Sequence, residues 1–169
     1  MISDIARRSF GTSGKVAGRT LEGFAVVYND ESRTIRELGR TFTERIAPGA
    51  FRSSLDSGAD IKLYYEHDTR MPLARTVSGT LRLSSESTGL RFSADIPETT
   101  LGNDVKTLLD RGDLTGEMSF GFRVIKDEWN KERTARTVHS AELLEISLVQ
   151  NPAYPNTHSA LRSVCLGLS

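Results

Sequence analysis

A strict alternation of side-chain character is the feature that most constrains how this chain can fold. It is clearest in residues 115–124, Thr-Gly-Glu-Met-Ser-Phe-Gly-Phe-Arg-Val. Met118, Phe120 and Phe122 fall on one face of an extended strand and Ser119 falls on the other, because side chains alternate with a period of two. The pattern predicts a strand, in which Ser119 is either an ordinary solvent-facing serine or a nucleophile.

Similar patterns recur along the chain and predict a fold that is mainly β with flanking helices, barrel-like and predominantly antiparallel. Strands are predicted at residues 20–28, 40–46, 61–67, 74–83, 89–96, 115–124 and 138–149, short helices at 50–56 and 103–110, and a charged hairpin loop at 126–136. Residues 1–15 show no sustained period and are interpreted as a flexible N-terminal arm. The folded domain is then 16–158, and 159–169 is a C-terminal tail.

Composition narrows the class of protein. The 169 residues fit one domain, and 22 Lys plus Arg balance 22 Asp plus Glu, which gives no electrostatic case for nucleic acid or an anionic membrane as the main partner. A single cysteine, Cys165, excludes an internal disulfide. With no apolar run of about 18 residues and no apolar signal-peptide core at the N-terminus, a cytosolic protein is expected.

Three histidines limit the sites that need an imidazole. No His-x-His or His-x-x-x-His pair exists and the one cysteine lies in the tail, so neither a metal nor a cofactor is expected. His67 lies where a predicted strand gives way to a loop, and its ordinary pKa suits proton transfer near neutral pH. It is either a general base or a half-exposed histidine that is hydrogen-bonded to Asp68.

Glu145 lies in a segment, residues 141–149, that is apolar on both faces and therefore predicts a central, buried strand. A carboxylate there is costly unless it is paired. Its partner is either a histidine, whose imidazolium form the carboxylate would favour, or one of the many arginines.

Five segments taken together resemble the prohead serine proteases of tailed bacteriophages, the caudovirus type. In chain order they are Gly-Phe-Ala-Val-Val-Tyr-Asn (23–29), Glu-Arg-Ile-Ala-Pro-Gly-Ala-Phe (44–51), Glu-His-Asp (66–68), Met-Ser-Phe-Gly-Phe (118–122), and Glu-Leu-Leu-Glu-Ile-Ser-Leu-Val (142–149) with Asn-Pro-Ala (151–153). The resemblance implies a β-barrel ringed by helices, shared with the herpesvirus assemblins, and makes 16–158 the protease domain.

The resemblance also implies a catalytic group of His67, Ser119 and Glu145, with Ser119 as nucleophile and His67 as base. Three other residues stay open as the group that orients His67: Glu142, Asp68 and His139. Gly121 is interpreted as leaving room for a substrate strand, and backbone amides near Gly121 or Gln150 are candidates for the oxyanion hole.

Two positions depart from the family pattern. The family often has Asn where this chain has Glu66, and Leu-Gly-Arg where it has Leu-Ala-Arg at 73–75. If Glu66 lies close to His67, its charge is expected to raise the pKa of the imidazole.

By resemblance the substrates are the scaffolding region of the major capsid protein and the protease itself, inside the assembling prohead in the host cytoplasm. Self-cleavage is expected in residues 1–15, 126–136 or 159–169. A homo-oligomer, in particular a dimer, is expected because assemblins become active on dimerising. Two rival interpretations are a non-catalytic phage assembly protein that binds capsid subunits, and a different Ser/His hydrolase such as an esterase.

Overall fold

The computed structural model describes residues 5–9 and 14–150, so the predicted tail at 159–169 lies outside the described residues. Eleven strands and two helices are assigned in that part of the chain. In chain order they are β1 (Ala6–Arg8), β2 (Gly14–Ala17), β3 (Thr20–Val27), β4 (Ile35–Glu37), β5 (Arg40–Ile46), α1 (Arg52–Asp56), β6 (Lys62–Tyr65), β7 (Asp68–Arg75), β8 (Leu81–Ser85), β9 (Gly89–Asp95), α2 (Thr100–Arg111), β10 (Glu117–Trp129) and β11 (Ala135–Val149).

The strands form two sheets, one of seven strands and one of four. In the larger sheet, β10 pairs along β11 on one side and with β1 on the other. The opposite edge of β11 pairs in parallel with β5 near its start and with β6 near its end, and β4 and β7 extend these two branches. The smaller sheet has the order β2-β3-β9-β8. The prediction of a mainly β fold with flanking helices is confirmed, with β11 as its central strand.

Alternation in β10 directs one face of the larger sheet into the core. Phe120 and Phe122 stack with ring centroids 5.1 Å apart, and Phe51, just before α1, meets both rings edge-on at 5.9 and 6.3 Å. All three side chains are fully buried. The helix is fixed to β11 by polar contacts, since Ser54 Oγ accepts a hydrogen bond from the Leu143 amide at 2.9 Å. The core therefore packs against the face of β10 opposite Ser119 and supports this strand.

The second helix, predicted at 103–110, is longer than predicted. Its N-cap is Thr99, whose side chain accepts a hydrogen bond from the Gly102 amide, and it ends at Gly112, which adopts a left-handed φ of 78°. Val105 is buried against the core. Neither helix in the part of the chain that the structure describes is long and apolar enough to cross a membrane.

The predictions for residues 74–83 and 126–136 were wrong in extent. The strand predicted at 74–83 is divided by a turn at 76–80, where Thr76 Oγ1 accepts from the Ile61 amide and Gly79 has a φ of 75°. At this turn the chain passes from β7 in the larger sheet to β8 in the smaller one. The hairpin loop predicted at 126–136 is shorter, because β10 continues to Trp129 and β11 begins at Ala135.

The interpretation of residues 1–15 as a loose arm was also wrong for the part that is described. Residues 6–8 form β1 against β10, and Gly14 begins β2. A three-residue strand is too short for a period to be recognised in the sequence, so its pairing is determined by tertiary contacts.

The position of Phe51 predicts a large loss of stability on truncation. Phe51→Ala removes a buried ring that touches two others and should lower the free energy of unfolding by about 3–5 kcal/mol. Val77→Ala, at a side chain that is 57% exposed, should stay within about 0.5 kcal/mol of the wild type. Urea denaturation measures both, and equal small losses would show that Phe51 does not support the sheet as described.

Candidate active site

Ser119 lies on the face of β10 opposite the aromatic core, as its alternation predicts, but it is not a solvent-facing serine. Its side chain is 1% exposed, and in the ladder it stands opposite Ser147 of β11. Two acceptors lie within hydrogen-bond distance of Ser119 Oγ: His67 Nε2 at 2.8 Å and the Arg8 carbonyl oxygen at 2.9 Å. The hydroxyl is thus held against an imidazole, as a serine nucleophile requires.

His67 reaches this face from a tight turn rather than from the end of a strand, which corrects the prediction of a strand through residue 67. The strands β6 and β7 are joined by two residues only, because Tyr65 pairs with Asp68. Glu66 and His67 have φ values of 54° and 57°, and positive φ at both central residues is the pattern of a type I′ turn. The turn directs the imidazole toward β10 and β11, where it is 3% exposed.

Glu145 completes the arrangement. Its Oε1 lies 2.5 Å from His67 Nδ1, and its Oε2 accepts a hydrogen bond of 2.6 Å from Ser147 Oγ. Arg7 contributes a weaker contact, with its Nε 3.8 Å from Glu145 Oε1. Since an ionised carboxylate only accepts hydrogen bonds, Nδ1 must donate, which leaves the Nε2 lone pair of the neutral ring facing the serine hydroxyl.

The three side chains thus form one continuous line of hydrogen bonds from a buried carboxylate through an imidazole to a serine. In such a line the imidazole accepts the hydroxyl proton, and the carboxylate orients the ring and stabilises the imidazolium that results. Within residues 5–9 and 14–150 there is no group of three or more His, Cys, Asp or Glu side chains that could hold a metal ion.

Comparison with known proteins agrees with this chemistry. The family model described as caudovirus prohead serine protease matches residues 5–165. The chain belongs to that family. It is therefore a serine protease.

A solved structure shows the same fold. The bacteriophage T4 capsid assembly protease gp21 superposes with a TM-score of 0.60 at 9% sequence identity, over 87% of this chain and 98% of that one. A search of curated protein sequences finds no match.

The residues that the sequence left open as alternatives to Glu145 are engaged elsewhere in the protease. Each pairs with another side chain: Asp68 with Arg70 at 2.9 Å, Glu142 with Arg123 at 2.9 Å, and His139 with Glu128 at 3.0 Å. Hydrogen bonds from Arg70 also hold the pKa of Asp68 below its usual value, so this carboxylate is stabilised in its ionised form by the arginine. Among the described residues, Glu145 is the carboxylate that bonds to His67 Nδ1.

Gly121 lies against the carboxylate of Glu145. A Cβ built at this position would lie 2.6 Å from Glu145 Oε1, closer than real side chains come. The space over Gly121 on this face of β10 is therefore occupied by the carboxylate that contacts His67. The glycine lets Glu145, its partner in the ladder, reach across β10 toward the imidazole.

Glu66 acts on the end of β11. Its Oε1 accepts a hydrogen bond of 2.5 Å from the backbone amide of Gln150, and its own amide donates to Leu148 O at 2.9 Å. The Gln150 amide, a sequence candidate for the oxyanion hole, is thus bonded to a carboxylate. The departure from Asn at position 66 falls at the first left-handed residue of the turn, where Asn is the better tolerated side chain.

Sequence reasoning missed three residues that contribute to this site: Ser147, Arg7 and Arg8. Ser147 follows Glu145 by two residues in one strand and hence shares its face, so the alternation could have identified it. Arg7 and Arg8 come from β1, whose pairing with β10 left no signal in the sequence. An open cleft of about 650 Å³ lies beside the turn, and Arg7 and His67 are among the residues that line it.

The close contact at Gly121 predicts a specific defect. In Gly121→Ala the new methyl group should push the Glu145 carboxylate away from His67 Nδ1, and we expect peptide cleavage to fall at least about tenfold while the fold is retained. Turnover measured alongside thermal unfolding separates the two effects. Wild-type turnover in a folded Gly121→Ala protein would contradict this role for Glu145.

The left-handed turn predicts a stability difference between two substitutions that both remove the Glu66 carboxylate. Glu66→Asn should be more stable than Glu66→Ala by about 1 kcal/mol, because Asn tolerates a positive φ and Ala does not. Urea denaturation of the pair measures the difference. An Ala variant as stable as the Asn variant would mean that the turn is not strained at position 66.

Proposed function

We propose that this protease matures phage capsids, cleaving the scaffolding region of the major capsid protein and also itself inside the assembling prohead. The observation that carries the chemical part of the proposal is the buried line from Ser119 Oγ to His67 Nε2 at 2.8 Å and from His67 Nδ1 to Glu145 Oε1 at 2.5 Å. Ser119 is the nucleophile, His67 the general base and Glu145 the group that orients it.

The reaction starts with the attack of Ser119 on a substrate carbonyl carbon. As the Oγ–C bond forms, the hydroxyl proton passes to His67 Nε2, and the positive charge on the ring is stabilised by Glu145 across the short Nδ1 contact. His67 then gives this proton to the leaving amide nitrogen, the peptide C–N bond breaks, and an acyl-enzyme remains on Ser119.

Hydrolysis of the acyl-enzyme repeats the same proton transfers with water. His67 removes a proton from the attacking water, the oxygen bonds to the acyl carbon, and the ester bond to Ser119 breaks with return of the proton to Oγ. The product is a free carboxyl group. Throughout, the hydrogen bond from Ser147 to Glu145 Oε2 leaves only Oε1 for the imidazole and so limits the orientations of the carboxylate.

The proposal includes the setting of the reaction: an assembling prohead in the host cytoplasm, where capsid protein and scaffolding region are concentrated together, and a protease that forms a homo-oligomer. The description of the family as prohead proteases supports the prohead as the place of action. The balance of 22 basic and 22 acidic residues is consistent with protein substrates rather than nucleic acid or a membrane surface.

Substitutions of the three side chains test the proposal when the protein is produced together with its own major capsid protein. Ser119→Ala should abolish trimming of the capsid protein, and Glu145→Gln should lower its rate by a factor on the order of 10⁴, because a neutral amide no longer favours the imidazolium. Glu142→Gln is the matched control. It lies on the same strand in an exposed pair with Arg123 and should keep wild-type activity.

Intact mass spectrometry of the capsid protein distinguishes the outcomes. Trimming that persists in Ser119→Ala would rule out this nucleophile and favour the non-catalytic assembly role. Trimming that is lost equally in Glu142→Gln and Glu145→Gln would show that loss of charge on β11, and not the contact with His67, accounts for the effect.

A further inference from the structure

The N-terminal strand β1 lies along β10 in the position that an extended peptide substrate takes when it adds to a sheet edge. Arg7 pairs with Gly121 and Arg8 with Phe120, in an antiparallel register that continues from Ala6. Addition of a strand to an edge is a common mode of peptide recognition, because backbone hydrogen bonds hold the peptide and alternate side chains enter pockets. Here the added strand belongs to the same chain.

One peptide group of this strand lies directly against the nucleophile. The Arg8 carbonyl oxygen is 2.9 Å from Ser119 Oγ. A C=O bond of about 1.23 Å then places the carbonyl carbon no further than about 4.1 Å from Oγ, close to the ~3–3.5 Å of a reactive approach. On the far side of that carbonyl, Ser9 Oγ lies 2.8 Å from Glu117 Oε1 and 2.9 Å from the Met118 carbonyl oxygen.

The side chain of Arg8 occupies a buried acidic pocket on the other face of β10. It is 6% exposed, and its guanidinium bonds to Glu44 Oε1 through Nε at 2.9 Å and to Glu37 Oε2 through Nη2 at 3.0 Å. The guanidinium carbon also lies 5.9 Å from the centre of the Phe122 ring. Burial of a guanidinium is costly without partners, and this pocket provides paired carboxylates and an aromatic face.

The acidic pocket keeps a countercharge when Arg8 is absent. Glu44, which has no exposed surface, is also bonded by Arg136, with Nε 2.9 Å from Oε2. Arg136 in turn lies 3.5 Å from Asp127. Without Arg8, the group retains the Arg136 guanidinium and three carboxylates: Glu44 and Asp127, which contact Arg136, and Glu37, which loses its partner Arg8. The pocket therefore keeps a net negative charge, which attracts a further cation, and Glu44 is not left unpaired.

We propose that β1 occupies the substrate position and that the protease cleaves its own Arg8–Ser9 bond. In other substrates, the Glu44–Glu37 pocket selects arginine on the N-terminal side of the cleaved bond. The inference rests on the proposed function. Ser119 Oγ bonds to the Arg8 carbonyl carbon, its proton passes through His67 to the Ser9 nitrogen, and the Arg8–Ser9 bond breaks. Water then releases residues 1–8 with a free Arg8 carboxyl group and leaves Ser9 as the new N-terminus.

Incubation of the purified full-length protein tests the cleaved bond. Intact mass spectrometry should show loss of residues 1–8 in the wild type and no loss in Ser119→Ala. Arg8→Gln should slow the cleavage at least about tenfold, since two charge-assisted hydrogen bonds are lost, and Arg8→Lys should retain more of it than Gln. Arg45→Gln, which alters an exposed arginine paired with Glu31, should cleave like the wild type.

Peptides test the pocket separately. Quenched fluorescent peptides with the sequence of residues 2–15, carrying either Arg or Gln at the position of Arg8, should differ at least about tenfold in kcat/KM with the full-length protease. Glu37→Gln, at a side chain that is 36% exposed, should reduce that preference several-fold without unfolding the protein. Glu31→Gln, the matched exposed carboxylate paired with Arg45, should leave the preference unchanged.

Failure of this inference is distinguishable from failure of the proposed function. Where trimming of capsid protein depends on Ser119, three results would overturn the inference and leave the protease role intact. They are the absence of a Ser9 N-terminus, a new N-terminus at Arg8 or elsewhere, and equal turnover of the Arg and Gln peptides. Under those results β1 would be a permanent strand of the sheet. Loss of all Ser119-dependent cleavage, of capsid protein and peptides alike, would overturn both.

Discussion

The arrangement of the site depends on one buried charge, the carboxylate of Glu145. It lies in the central strand β11, among residues 145–149 that are all buried, and a lone carboxylate there would be strongly destabilising. The protein satisfies each of its oxygens: Ser147 donates to one and His67 to the other. Gly121 leaves the space that this carboxylate occupies, and the imidazole of His67 provides one of its hydrogen bonds.

The topology brings these groups together from distant parts of the chain. Ser119 and Glu145 come from the paired strands β10 and β11, and the parallel pairing of β6 with β11 places the His67 turn at the same end of the sheet. A turn with two left-handed non-glycine residues costs free energy, and such strain persists only where surrounding contacts enforce it. Here the backbone bond from Glu66 to Leu148 O and the side-chain bond to the Gln150 amide tie the turn to β11.

The sequence was informative where a strand is long and half or fully buried. The alternation around Ser119 and the doubly apolar run around Glu145 predicted β10 and β11, because burial on a fixed face imposes a period of two. It was uninformative where pairing depends on a few long-range contacts. Nothing local distinguishes β1 from a loose arm, and the contact of Gly121 with Glu145 Oε1 could not be read from the sequence because the two residues lie 24 positions apart. The assignment of roles to His67, Ser119 and Glu145 came from family resemblance, and their mutual contacts came only with the structure.

Because β1 covers the site, the contacts that hold Arg8 also control the access of other substrates. With Ser119 1% and His67 3% exposed, another polypeptide reaches the proposed nucleophile only when β1 moves away. A three-residue strand forms few backbone hydrogen bonds, whereas each hydrogen bond of Arg8 to a carboxylate contributes about 1.5–3 kcal/mol. The side chain of Arg8, rather than the backbone pairing with β10, therefore contributes most of the binding of β1. Because β1 belongs to the same chain, its binding to β10 is intramolecular, and it competes with other substrates at an effective concentration that does not depend on the protein concentration. If the protease acts as we propose, a substrate in trans gains access either at a comparable local concentration, as within an assembling capsid, or after the Arg8–Ser9 bond is cut.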